Sequence, residues 1–160
     1  MSHQIEISNH QTLLAIDDRR LVEIVESVLT AHGLRESELH LLLVDNAAIH
    51  EINLAHLRHD FPTDVITFPL NDPERMPPEY PLEGELVISV EMALELAPEI
   101  GWEAEQELQL YLIHGLLHLC GYDDLDDNAL ASMRRREWEM LHRLGITPQA
   151  GDDRWAQLLP

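Results

Sequence analysis

The sequence predicts an α+β fold, a single domain built from about four strands and about five helices. Short apolar runs rich in branched residues interrupt longer segments whose apolar residues recur at helical spacing. Acids and serines that cap helices, and glycines that end them, stand between these segments. A chain of 160 residues with 45% hydrophobic composition suits one core and leaves no room for a second domain, so the domain is expected to span residues 1–160.

In chain order, residues 5–8 (Ile-Glu-Ile-Ser) form the first strand candidate. Asp17 or Asp18 caps a helix with an apolar face of Leu21, Ile24, Val25, Val28 and Leu29, ending near His32 with Gly33 beyond. Residues 39–44 are the next strand, whose consecutive leucines predict burial on both faces. Asn46 caps a helix carrying Ile49, Ile52 and Leu57. Residues 65–68 and 86–88 complete the strands. The connection 73–81 is too rich in proline for either regular structure and is expected to be an exposed, mobile flap. Ser89 caps a helix reaching about Leu96, after which residues 98–101 turn the chain. A last helix covers about 128–144 and ends at Gly145; beyond it Trp155, Leu158 and Leu159 allow the tail to dock back.

Between these lies the most informative segment. Residues 103–120 carry Leu108, Leu110, Tyr111, Leu112, Ile113, Leu116, Leu117 and Leu119, with glutamates in the first turns, where they complement the helix dipole. This predicts a helix buried on most sides. It places His114 and His118 one turn apart; a four-residue step rotates about 40° and climbs roughly 6 Å, so both imidazoles leave one face. Gly121 can take the left-handed conformation that ends a helix, turning residues 122–124 back toward the histidines. Asp124 is then the expected third ligand of a metal site, with Asp123 and Asp126 as other acids in reach. The alternative is a structural network in which carboxylates pair with the imidazoles. Gly115, costly inside a helix, implies room for a substrate or a strand beside the metal. Cys120, about 200° around the helix from His118, is expected in the core.

Composition narrows the classes. No signal-peptide pattern and no 18-residue apolar run stand in the sequence, so no membrane association is expected. The single cysteine excludes an intrachain disulfide framework and makes the cytoplasm the default compartment. The net charge is −20 and every basic residue is arginine. Duplex DNA or RNA is therefore a poor partner, and a nucleic acid needs a local basic groove or delivery by another protein. Arg134, Arg135 and Arg136 suggest a patch, but they diverge by about 100° per residue and Glu137 and Glu139 stand near, so a solvated face is expected.

The string 114–123, His-Gly-Leu-Leu-His-Leu-Cys-Gly-Tyr-Asp, resembles the signature of the YbeY family of bacterial rRNA maturation factors, described as metal-dependent single-strand endoribonucleases. Residues 63–68 (Thr-Asp-Val-Ile-Thr-Phe) and 84–89 (Gly-Glu-Leu-Val-Ile-Ser) resemble two further blocks of that family. Two departures stand out. The family pattern continues with a third histidine where this chain has Asp124, and an arginine expected four residues after Asn53 is Leu57 here, with Arg58 one position later.

The resemblance implies a mixed sheet packed with helices and a metal cleft beside the histidine-bearing helix. It implies single-strand-specific endoribonuclease activity in maturation of the 3′ end of small-subunit rRNA and in ribosome quality control. The partners would be single-stranded rRNA precursor and the small subunit or its proteins, with no role for DNA. His114, His118 and Asp124 would hold one divalent ion, zinc first, with manganese or magnesium made competitive by the aspartate. Arg58 and His59 are the candidates to meet the scissile phosphate. The competing expectations are a metal hydrolase acting on peptides and a non-catalytic assembly factor with a structural metal. Against the former, Gly115 stands where the familiar zinc-peptidase motif has its catalytic glutamate.

Overall fold

The computed structural model describes residues 2–148 and 152–158. Alternation of apolar and polar residues in β1 (Ser2–Asn9) and β2 (Glu36–Val44) lets one face of each strand enter a core while the other stays polar. The two pair in parallel, joined by α1 (Asp18–Ala31). β4 (Leu82–Ser89) adds to β2 in parallel, and β3 (Val65–Pro69) pairs antiparallel with β4, so the mixed sheet runs β1-β2-β4-β3. Leu39, Leu41 and Leu43 point into the main core with Leu86 and Ile88. Only the far end of β2 is apolar on both faces, which narrows the sequence expectation: Leu42 and Val44 pack with Ile49, Ile66 and Val87 under α2 (Asn46–Leu57), in a second, smaller cluster.

Helix boundaries follow local chemistry. Asp17 accepts from the Arg20 amide and starts α1, and Ser89 accepts from the Met92 amide and starts α3 (Val90–Ile100). α2 departs from expectation: Asp45, not Asn46, is its cap, because the Asn46 side chain is taken by Ser89 and Glu95. α3 continues through Pro98 to Ile100; a proline in the last turn forfeits one amide, and Gly101 (φ 96°) closes the helix through Ala97 instead. The 73–81 connection is largely exposed and is held at its base by Asn71, whose side chain bonds Arg75, Pro81 and Glu83.

α4 (Ala104–Leu119) lies across β3 and β4 on the main-core side, with α1, α3 and α5 (Asp127–Arg143) around it. Its closeness to the sheet depends on two glycines. A Cβ on Gly115 would strike Leu86 and lie 3.2 Å from Val65 Cγ2, and one on Gly84 would lie 2.9 Å from Leu119. The room inferred at Gly115 is thus filled by strands. Trp155, on the 3₁₀ turn Asp153–Leu158, is fully buried and Leu158 packs against the core, while Leu159 lies outside the described residues. Within that turn region Arg154 reaches Glu107 (2.8 Å) and Asp152 (2.8 Å), fastening the tail to the start of α4. No helix among the described residues is long and apolar enough to cross a membrane.

Candidate metal centre

α4 ends where its sequence requires. The Cys120 amide closes the last turn on Leu116 and Leu117, Gly121 takes φ 105°, and the Tyr122 amide returns to the Leu117 carbonyl. This reversal brings residues 122–124 back over the last turn. His114, His118 and Asp124 then place ligand atoms within 4.8 Å of one another. Separately, His114 Nε2 lies 3.0 Å from His118 Nε2, and Asp124 Oδ2 is 3.5 Å from the first and 3.7 Å from the second.

The remaining ring nitrogens decide what those atoms are. His118 Nδ1 lies 3.1 Å from the Tyr122 carbonyl, which can only accept, so Nδ1 carries the proton and Nε2 a lone pair. His114 Nδ1 donates to Glu137 Oε2 at 2.7 Å, and Glu137 Oε1 accepts from Arg134 at 2.7 Å. With both Nδ1 atoms protonated, the neutral imidazoles present bare Nε2 atoms to each other and to a carboxylate oxygen, an arrangement that calls for a shared cation, either a metal ion or a proton on one Nε2. Tetrahedral bonds of about 2.0–2.1 Å to an ion imply ligand separations of roughly 3.3 Å, close to the three observed. The donor set fits a divalent metal. Cys120 is not part of it; it packs against the main core while only partly buried, and burial pushes its thiol up to about 11.

Electrostatics distinguish the two histidines. Burial pulls His114 down, but the hydrogen bond and charge of Glu137, with the charge of Asp64, outweigh it and leave its pKa above the ordinary value. Burial and then the neighbouring His114 hold His118 below it.

The triad opens into a cleft of about 600 Å³ between α4, β3 and the segment joining α2 to β3. His59, Phe61, Thr63, Asp64, Thr67 and Tyr122 are among its walls. A second cavity of about 360 Å³ reaches His114 and Asp124 from the side of α5 and shares Asp64 with the first. Of the residues expected to meet a phosphate, His59 lines the main cleft, whereas Arg58 does not and Leu57 does. Arg58 caps α2 in the left-handed conformation (φ 58°), exposed beside the cleft. It pairs with neither nearby aspartate; Asp60 is held by His50 at 2.7 Å. Arg134 and Arg136 are engaged by Glu137 and Glu139, so the arginine run forms no concerted patch; the expected solvated face holds for Arg135 alone, since Arg134 and Arg136 are partly buried and Glu137 is fully so.

Two residues of the site were not singled out from the sequence. Glu137, read as a surface partner for arginines, is fully buried at the metal centre. Its signal was its position on the apolar stripe of α5, four residues after Met133 and four before Leu141. Asp64 was read as part of a motif, and nothing in its local sequence marks that it faces both cavities.

Comparison with known proteins supplies the context. The model of the family described as endoribonuclease YbeY matches residues 6–145, which include the whole centre. The chain is 39% identical over 144 residues to the endoribonuclease YbeY of Sulfurovum sp. (strain NBC37-1), covering 89% of this chain and 91% of that one. It is 36% identical over 147 residues to that of Pelotomaculum thermopropionicum, covering 88% and 97%. Among solved structures, the solution structure of TM1509 from Thermotoga maritima matches with a TM-score of 0.56 at 26% identity, over 88% of this chain and 91% of that one.

Proposed function

The chain belongs to the endoribonuclease YbeY family, and from that premise we propose that it hydrolyses single-stranded ribosomal RNA precursor, including the 3′ end of small-subunit rRNA, at the His114–His118–Asp124 centre. The observation that carries this reading is the convergence of two bare Nε2 atoms and Asp124 Oδ2 at the floor of an open cleft. A divalent ion held by these three residues would supply Lewis acidity and lower the pKa of bound water. Zinc suits two imidazoles and a carboxylate; the anionic third ligand makes manganese and magnesium more competitive than three histidines would.

The chain's own residues do the rest. Glu137 and the Tyr122 carbonyl fix the tautomer and direction of the two imidazoles, so the ligands need not reorganise. His59 on the cleft wall, and Arg58 exposed beside it, are the groups we propose to meet the phosphate, Arg58 by a charged fork of donors and His59 by a hydrogen bond or proton. Asp64 binds the Val65 amide with Oδ1, at 2.7 Å, and lines both cavities. The peptidase alternative is not favoured: where the familiar zinc-peptidase motif has its glutamate this chain has Gly115, packed against β3 and β4. We place the protein in the cytoplasm, acting with the small subunit or its proteins as one hydrolase domain.

The test is cleavage of an unstructured RNA oligonucleotide by protein whose metal content is measured in parallel. Cleavage is expected to fall at least a hundredfold on chelation and in the His114→Ala, His118→Ala double variant, and Asp124→Ala is expected to lose bound metal. Equal cleavage by all of these proteins overturns the reading.

A further inference from the structure

A chain with a net charge of −20 cannot rely on phosphate attraction to hold RNA, so its affinity must draw on something other than charge. The wall of the cleft offers one such feature. Phe61, one of only two phenylalanines, is 52% exposed on the surface that also presents the triad. An exposed ring forgoes the free energy of burial, and here the ring is also held in place. Asn53, which is 2% exposed, donates its side-chain amide to the Phe61 carbonyl at 2.9 Å. The ring lies nearly parallel to the His59 imidazole, with an interplanar angle of 10° and centroids 5.4 Å apart, an offset stack. Leu57, 44% exposed, adds apolar surface to the same cleft.

A flat apolar ring held in an offset stack with a second flat ring selects a ligand with flat faces. Within a cleft that handles phosphodiesters, that ligand is a nucleobase. Resting on the RNA reading above, we propose that His59 and Phe61 form a stacking platform for one unpaired base flanking the scissile phosphate. Stacking is indifferent to the protein's charge and tolerant of base identity. It also requires a free π-face, which a base inside a duplex does not offer, so the platform makes the enzyme selective for single strands.

The experiment compares two nuclease-resistant single-stranded oligonucleotides, 2′-O-methylated and phosphorothioate-linked, one with its bases and one abasic. Binding of each is followed by fluorescence anisotropy with the metal-loaded full chain. Wild type and Phe61→Trp are expected to favour the intact strand about tenfold over the abasic one. Phe61→Ala and Phe61→Leu are expected to lose that preference while metal content, read by elemental analysis, stays at the wild-type level. Phe61→Leu binding the intact strand as tightly as wild type overturns the platform, because an apolar contact would then suffice. Equal binding of both strands by wild type does the same. Wild type that binds neither strand overturns the RNA reading itself, and the platform falls with it.

Discussion

Glu137 carries a carboxylate with no solvent contact, and each of its oxygens has one partner, His114 on one side and Arg134 on the other. A buried carboxylate is tolerated only when its charge is matched in this way. In the proposed centre its position serves to orient a ligand, because the proton it holds on His114 Nδ1 leaves Nε2 free to meet a metal. Exchange to glutamine preserves size but offers a neutral amide, which cannot orient imidazole and guanidinium together. Glu137→Gln is therefore expected to weaken metal binding about 10- to 100-fold. Titration against a chromophoric chelator measures this, and unchanged affinity would reduce Glu137 to an ordinary ion-pair partner. The same residue shows why site geometry is only partly legible from sequence. His114, His118 and Asp124 announce themselves through spacing alone, whereas Glu137 lies nineteen or more positions away from both histidines and meets the site only because α5 folds against α4.

Elements with a polar cap and a clear apolar stripe, α1 and α5 above all, were readable to within a residue or two. Those shaped by tertiary contact were not. β4 begins at Leu82, four residues ahead of its apolar run, because Glu83 and Glu85 alternate outward on the sheet face opposite the main core and Gly84 turns inward against Leu119. The cap of α2 moved to Asp45 because Asn46 found partners on the neighbouring helix, which no local rule anticipates. Gly115 states the converse: a residue unfavourable to its own helix is required by the sheet beneath it. Alanine there gains about 1 kcal/mol of helix propensity but must displace Leu86, which is completely buried, and overpacking costs about 1–3 kcal/mol. Gly115→Ala is expected to lower stability by up to about 2 kcal/mol in denaturant titration and to weaken metal binding, since the same shift of α4 carries both histidines. A stable Gly115→Ala variant with full metal affinity would show that the interface yields freely.

Over the whole molecule, the last turn of the described residues is bound to the helix that carries the two candidate histidines. Arg154 makes two hydrogen bonds to Glu107, reaches Asp152, and lies over the rings of Trp102 (5.5 Å) and Trp155 (4.8 Å). Its own charge is stabilised despite burial by these carboxylates. Arg154→Ala would leave Glu107, with no exposure, uncompensated, and is expected to cost about 3 kcal/mol. For a domain of this size that corresponds to a fall of roughly 6–12 °C in the thermal midpoint, measurable by circular dichroism. A loss below about 0.5 kcal/mol would mean that the tail is not part of the cooperative unit.

Tyr122 and Glu137 anchor both imidazoles through the chain itself, so in the proposed metalloenzyme ion loading and chain folding are expected to be separable. Metal would then be an exchangeable component, governed by supply and competition in the surrounding medium. A preparation exposed to chelator would keep its spectrum, its elution volume and its cooperative melt while losing its activity. Specific activity would then be set by the loaded fraction, and a quantity of well-folded protein would be no measure of how much enzyme is present.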